Sequence, residues 1–341
     1  NSYTFTDLTY GTSYTLKVIV KDKAGLTTTK TTTIKTNAET VSGSITSGKT
    51  YTSNTTIYDS YNNKIKIPAG FKIASDSGKN VTEGVVIEDV SAGDGNTKGN
   101  QYVWVPIGNV RYNTSGAYKT INFGRYDFES NPSGELKQSA DNYTSSVTIN
   151  SYYQELQSSN YGNTTAKNLG DFITKAKNAG GYYIGRYEAG KVSGNTNTFN
   201  IKKGQTVYND IDQPNAATLA RNLYSSNSNF QSDLMNSYAW DTAIVYIQTF
   251  SGDNDYSQQY CLQTSLTTTG NARDSSNNYD VRCNIYDMAG NVNEWSTETC
   301  KSEQQPLTYR GGSYYTSILY TAERRSYILP RYVCFLYLTW L

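Results

Sequence analysis

Few residues of this chain are equipped for chemistry. It contains no histidine, so the commonest general base and the commonest transition-metal ligand are both missing. That excludes Ser-His-Asp and Cys-His catalysis and any histidine zinc site. The four cysteines, Cys261, Cys283, Cys300 and Cys334, form no C-x-x-C pair, which argues against a structural zinc. Whether they pair as disulfides or stay as buried thiols is open at this level, because spacing does not fix connectivity. Among the carboxylates, Glu188 in Arg186-Tyr187-Glu188-Ala189-Gly190 is the one to weigh as an acid or base. No second group reads as its catalytic partner, and pairing with Arg186 or a backbone amide is its expected fate.

The elements that would hold such groups follow from composition and pattern. A chain of 341 residues is long enough for two domains. Hydrophobic residues are only 36%, but 32 tyrosines and 4 tryptophans supply large apolar area with a polar tip, so the core is expected to be aromatic. With a net charge of +1 and 17% charged residues, nothing points to a nucleic-acid partner. No apolar run reaches membrane-spanning length. Residue 1 is Asn, and any export signal or anchor is expected upstream of it.

Residues 1–37 read as strand, turn, strand, turning at Asp22-Lys23-Ala24-Gly25. Residues 38–60, rich in Ser, Thr and Asn, read as a linker. From 61 onward short strands are expected around Ile65, Ile67, Phe71 and Ile73, at Val85-Val86-Ile87, and at Tyr102–Pro106. Helices are expected over 165–179, 215–225 and 230–249. Strands and helices mix without βαβ regularity, so the class is α+β.

Specific strings carry a resemblance. Leu-Thr-Tyr-Gly-Thr-Ser-Tyr-Thr-Leu-Lys-Val at 8–18 resembles the tyrosine-corner region of fibronectin type III and other immunoglobulin-like domains, of which 1–37 would be the last strands. Tyr102–Gly108, Gly181–Gly190, Ser237–Tyr246 and Asn284–Trp295, followed by Arg310-Gly311-Gly312-Ser313-Tyr314, resemble the formylglycine-generating-enzyme family. That resemblance covers residues 61–341 and implies a C-type-lectin-like fold, with Trp104, Tyr183, Ile184, Trp240 and Trp295 in the core. It places the family's catalytic cysteines at Thr316 and Thr321, and a hydroxyl does not replace a thiolate toward Cu(I), so no oxidase activity is expected. It also implies calcium on Asp287, Gly290, Val292 and Glu294, the alternative being no cofactor and carboxylates that merely accept turn amides.

The last part of the chain changes character. Asparagine stops at Asn293 and glycine at Gly312. The resemblance to non-enzymatic members of the family, the variable proteins of diversity-generating retroelements, implies a variable region at about 310–341. Its binding face would comprise Tyr314, Tyr315, Ser317, Ile318, Tyr320, Ser326, Tyr327, Ile328, Arg331 and Tyr332, since Tyr, Ser and Arg make adaptable contacts. Arg324, Arg325 and Arg331 are read as marks of a surface segment, whereas Val333, Phe335, Leu338 and Trp340 alternate as a core strand. The expectation is an extracellular, cell-surface or virion protein that binds a protein or glycan ligand without catalysis. Its alternative is an undiversified structural or carbohydrate-binding protein of the same fold.

Overall fold

The computed structural model describes residues 13–35, 41–143, 146–148, 153–156, 169–261, 263–271, 281–300, 307–315, 320–326, 333–334 and 336–340. Two compact units share the chain, Asn1–Ser42 and Gly43–Leu341. In the first, Ser13–Lys21 pairs antiparallel with Thr27–Lys35. The turn is closed by Asp22, whose Oδ1 accepts from the Leu26 amide at 2.8 Å, and by Gly25 at φ 90°.

The second unit is α+β, with three α-helices among the described residues. Its first six-stranded sheet runs Phe230–Leu234, Leu336–Trp340, Gly181–Gly185, Gln101–Pro106, Val86–Asp89, Phe71–Ile73, each strand antiparallel to its neighbours. The strand latest in the chain therefore lies inside this sheet, between two earlier ones. A second sheet runs Ser146–Thr148, Tyr153–Leu156, Glu294–Cys300, Leu307–Arg310, Arg324–Ser326, and Val333–Cys334 pairs parallel with Glu294–Cys300. Helix Ser237–Phe250 packs on both sheets.

The core is aromatic, and several of its polar tips find backbone acceptors. Trp104 and Tyr183 meet edge to face at 5.0 Å, and Phe71, Tyr102, Tyr224 and Phe230 form a cluster. The Tyr182, Tyr183 and Tyr246 hydroxyls donate to the carbonyls of Ala239, Lys66 and Val81 at 2.7, 2.9 and 2.7 Å. A buried tyrosine so paired keeps its apolar gain without an orphaned hydroxyl. Trp104, Tyr183, Ile184, Trp240 and Trp295 are all buried.

Helices form at Leu169–Ala179 and Gln213–Asn222, close to expectation. The helix expected over 230–249 is instead a strand, Phe230–Leu234, followed by helix Ser237–Phe250. Asn236 separates them: its side chain accepts from the Ala239 amide at 2.9 Å, an N-cap that fixes where the helix begins. The linker expected over 38–60 is also corrected. The second unit begins at Gly43, and Tyr51, Thr55, Thr56 and Ile57 are buried, with Thr55–Tyr58 paired to Lys64–Ile67. Ser and Thr composition was misleading because a short hydroxyl finds a local acceptor, as Thr55 does on the Ser53 carbonyl at 2.8 Å.

Candidate functional site

The segment after Arg310 is built on close approach. Gly311 has φ 78°, and a Cβ there would sit 2.5 Å from Glu294 Oε2 and 3.0 Å from the Met288 carbonyl, so only glycine fits. Asn293 Nδ2 donates to the Gly311 carbonyl at 2.8 Å, and the Tyr314 amide donates to the Asn291 carbonyl at 2.9 Å. These bonds pin the start of the loop to the Asp287–Glu294 turn.

From that base Tyr315 projects with 75% of its surface exposed, its ring edge-on to the half-buried Tyr314 at 6.1 Å. Tyr320 is 40% exposed and bridges antiparallel to Tyr260, which is 42% exposed. The next residue turns inward. Thr321 is fully buried; its amide and hydroxyl both donate to the Gln259 carbonyl, at 2.8 and 3.1 Å, and its carbonyl accepts from Trp240 Nε1 at 3.2 Å. Beside Tyr320 lies a depression of about 260 Å³ floored by Phe128, Gln258 and Ala322 and flanked by Glu129 and Glu323.

Of the ten residues expected on the binding face, Tyr315 and Tyr320 are exposed and Tyr314 packs partly against the core. Ser326 ends the strand Arg324–Ser326. Ser317, Ile318, Tyr327, Ile328, Arg331 and Tyr332 lie outside the described residues, as does Thr316. Tyr260 was missed, because it stands in an irregular stretch with no period to read.

Arg324 corrects the reading of arginine as a surface mark: it is buried in a network of five charges, Arg125, Arg310, Arg324, Asp241 and Glu298. Arg310 reaches Asp241 at 2.6 Å and Glu298 at 3.2 Å and lies over the Trp240 ring at 5.5 Å. Burial raises the Glu298 carboxyl, but the charges of Arg324, Arg125 and Arg310 outweigh it and hold the group below its ordinary value. Arg325, by contrast, is exposed.

Beneath the loop three carboxylates, Glu188, Asp287 and Glu294, are fully buried. Glu188 accepts from Asn291 Nδ2 at 2.6 Å and from the Val292 amide at 3.3 Å. The expected amide partner is therefore present, while Arg186 turns instead to Asp76 at 2.9 Å and Gln101 at 2.7 Å. Asp287 and Asn291 adopt φ 62° and 59°, which curls the turn tightly. Neither oxygen of Glu294 has a hydrogen-bond partner among the described residues. Burial, then the charges of Glu188 and Asp287, push the Glu294 carboxyl well above the usual carboxylate range; burial and Asp287 do the same to Glu188.

Among the described residues no three His, Cys, Asp or Glu side chains converge as a metal-holding group. A cation here would take the Asp287 and Glu294 carboxylates together with the Gly290 and Val292 carbonyls. Buried Glu294 oxygens lacking any donor fit that donor set, and all-oxygen donors suit calcium. Its chemistry would be charge neutralisation within the turn. Burial pushes the Cys283 thiol up to about 12, far from reactive thiolate chemistry. Comparison of the chain with protein-family models, with curated proteins and with solved structures finds no match.

Proposed function

We propose that the chain is a non-catalytic ligand-binding protein of a cell or virion surface, with a C-type-lectin-like second unit of the formylglycine-generating-enzyme type and a retroelement-diversified C-terminal region. Its partner is a protein or glycan on another cell surface, contacted through the loop that carries Tyr315 and Tyr320. The observation behind this reading is the division of labour within the loop. Tyr315 and Tyr320 face outward, while Gly311, Thr321 and Arg324 are locked into buried hydrogen bonds and ion pairs. Exposed aromatics on a fixed base give large contact area at low ordering cost. A buried Thr321 whose hydroxyl is committed to the Gln259 carbonyl supports the absence of thiol chemistry there. Calcium in the turn beneath would stiffen the same base.

The test is binding of the fluorescently labelled chain to a panel of bacterial cells, read by flow cytometry. The Tyr315→Ala/Tyr320→Ala double variant is expected to lose binding at an unchanged Tm. Equal binding by the double variant would sink the proposal. Sequencing related genes tests diversification: differences should gather at template adenines of the 3′ end.

A further inference from the structure

One cavity of the second unit shares no residue with the tyrosine loop. It is a groove of about 830 Å³ between the hairpin Gly190–Val192/Asn195–Asn200 and the segment 208–215 that leads into helix Gln213–Asn222. That volume falls within the roughly 300–1,000 Å³ of small-molecule sites.

Its polar lining is pre-oriented by bonds the residues make among themselves. Lys191 Nζ donates to Asn209 Oδ1 at 3.1 Å, which leaves the Asn209 amide nitrogen as a donor. The Asn197 backbone amide occupies Asn195 Oδ1 at 2.9 Å, leaving the Asn195 nitrogen likewise. Asn215 is turned the other way: its Nδ2 is committed to Asp212 Oδ2 at 3.1 Å, so its Oδ1 is an acceptor. Asp210 adds an exposed carboxylate on a left-handed residue at φ 59°. Tyr208 is anchored by its hydroxyl to the Thr196 carbonyl at 2.7 Å, which fixes the ring as part of the wall.

We infer that this groove binds a neutral oligosaccharide. Each sugar hydroxyl both donates and accepts, so it needs donors and acceptors interleaved on one surface, and the amides of Asn195, Asn209 and Asn215 with Asp210 provide that alternation. An anion is disfavoured, because Asp210 and Asp212 outnumber Lys191 among the charged lining residues. An apolar ligand would leave these groups unpaired, at the cost of their desolvation. The fixed Tyr208 ring offers the flat face on which a pyranose stacks. A peptide uses the same polar groups, and it is the competing occupant that the experiment separates.

The experiment is saturation-transfer NMR on the full chain with neutral hexasaccharides of glucose, mannose, galactose and N-acetylglucosamine at millimolar concentration, and with an equally long Gly/Ser/Asn peptide. At least one saccharide is expected to bind and the peptide not to. Asp210→Gly keeps the left-handed backbone and removes the carboxylate, and Asn215→Ala removes an exposed amide. Each should weaken binding roughly tenfold or more with Tm unchanged. The Tyr315→Ala/Tyr320→Ala variant should bind saccharide as the parent does, which keeps this result separate from the proposed loop function. The inference is overturned if no saccharide binds, if only the peptide binds, or if saccharide binding survives both groove changes.

Discussion

Glu298 and Glu294, four residues apart on one strand, are buried carboxylates in opposite surroundings. Glu298 is matched by three arginines, so Glu298→Gln strands excess positive charge in a dry interior and is expected to cost about 3–5 kcal/mol, measurable by denaturant unfolding. A near-neutral effect would mean that water reaches the network. Among the described residues, the charges that bear most on Glu294 are those of the neighbouring acids Glu188 and Asp287, which repel it. Because the folded-state values of Glu188 and Glu294 are raised, their contribution to stability is complete below the ordinary carboxylate value of about 4–5 and is lost as pH rises through the raised value. Glu298, depressed, works the other way and loses its contribution as pH falls through its lowered value. Without calcium, Tm should therefore decline toward neutral pH on account of Glu188 and Glu294. Millimolar calcium should reverse that decline in the parent and not in Glu294→Gln. A Tm indifferent to calcium between about pH 5 and 8 would remove the ion from the turn. Arg310 and Glu294 could be placed in sequence by the strings that contain them, but the burial of Arg324 could not. A charged residue is buried only when its partners arrive from elsewhere, and Asp241 lies 83 residues before it.

At the scale of elements, legibility followed local signals. Helix Leu169–Ala179 was readable from its apolar face, whereas Gln213–Asn222 begins two residues before the 215–225 expected for it, at the cap that Asp212 supplies. The 230–249 segment was misread because Leu234 and Tyr238 continue a helical spacing across a boundary that only the Asn236 cap marks. Asn236 is fully buried, so Asn236→Ala should cost about 1–2 kcal/mol through the lost cap, read as a lower Tm with no loss of the strand before it. An unchanged Tm would assign the helix start to packing alone. The Glu294–Cys300 strand is the opposite case. Its seven residues are all buried although most are polar, and a pattern-based reading sees no such strand. Beyond the Glu294 carboxylate, its polar atoms draw on the arginine network around Glu298, on Gln213 Nε2 donating to the Ser296 carbonyl at 2.6 Å, and on Ser296 Oγ donating to the Thr308 carbonyl at 3.0 Å.

For the molecule as a whole, the α+β class was legible from alternating short strands and helices, while the order of strands in the sheets was not, because long-range pairing leaves no local trace. The groove beside Tyr208 escaped sequence reading for the same reason: Lys191 and Asp212 are unremarkable until a hairpin and a helix start face each other. The placement of Leu336–Trp340 between Phe230–Leu234 and Gly181–Gly185 has a consequence for biosynthesis. A ribosome delivers that strand after more than 100 residues that follow Phe230–Leu234, so the main sheet stays split until translation of this region is over. The nascent second unit is thereby expected to stay incompletely locked until that strand has emerged. Stalled chains ending before Val333 should remain protease-sensitive, and chains extended past Trp340 by a spacer long enough to clear the exit tunnel should become resistant.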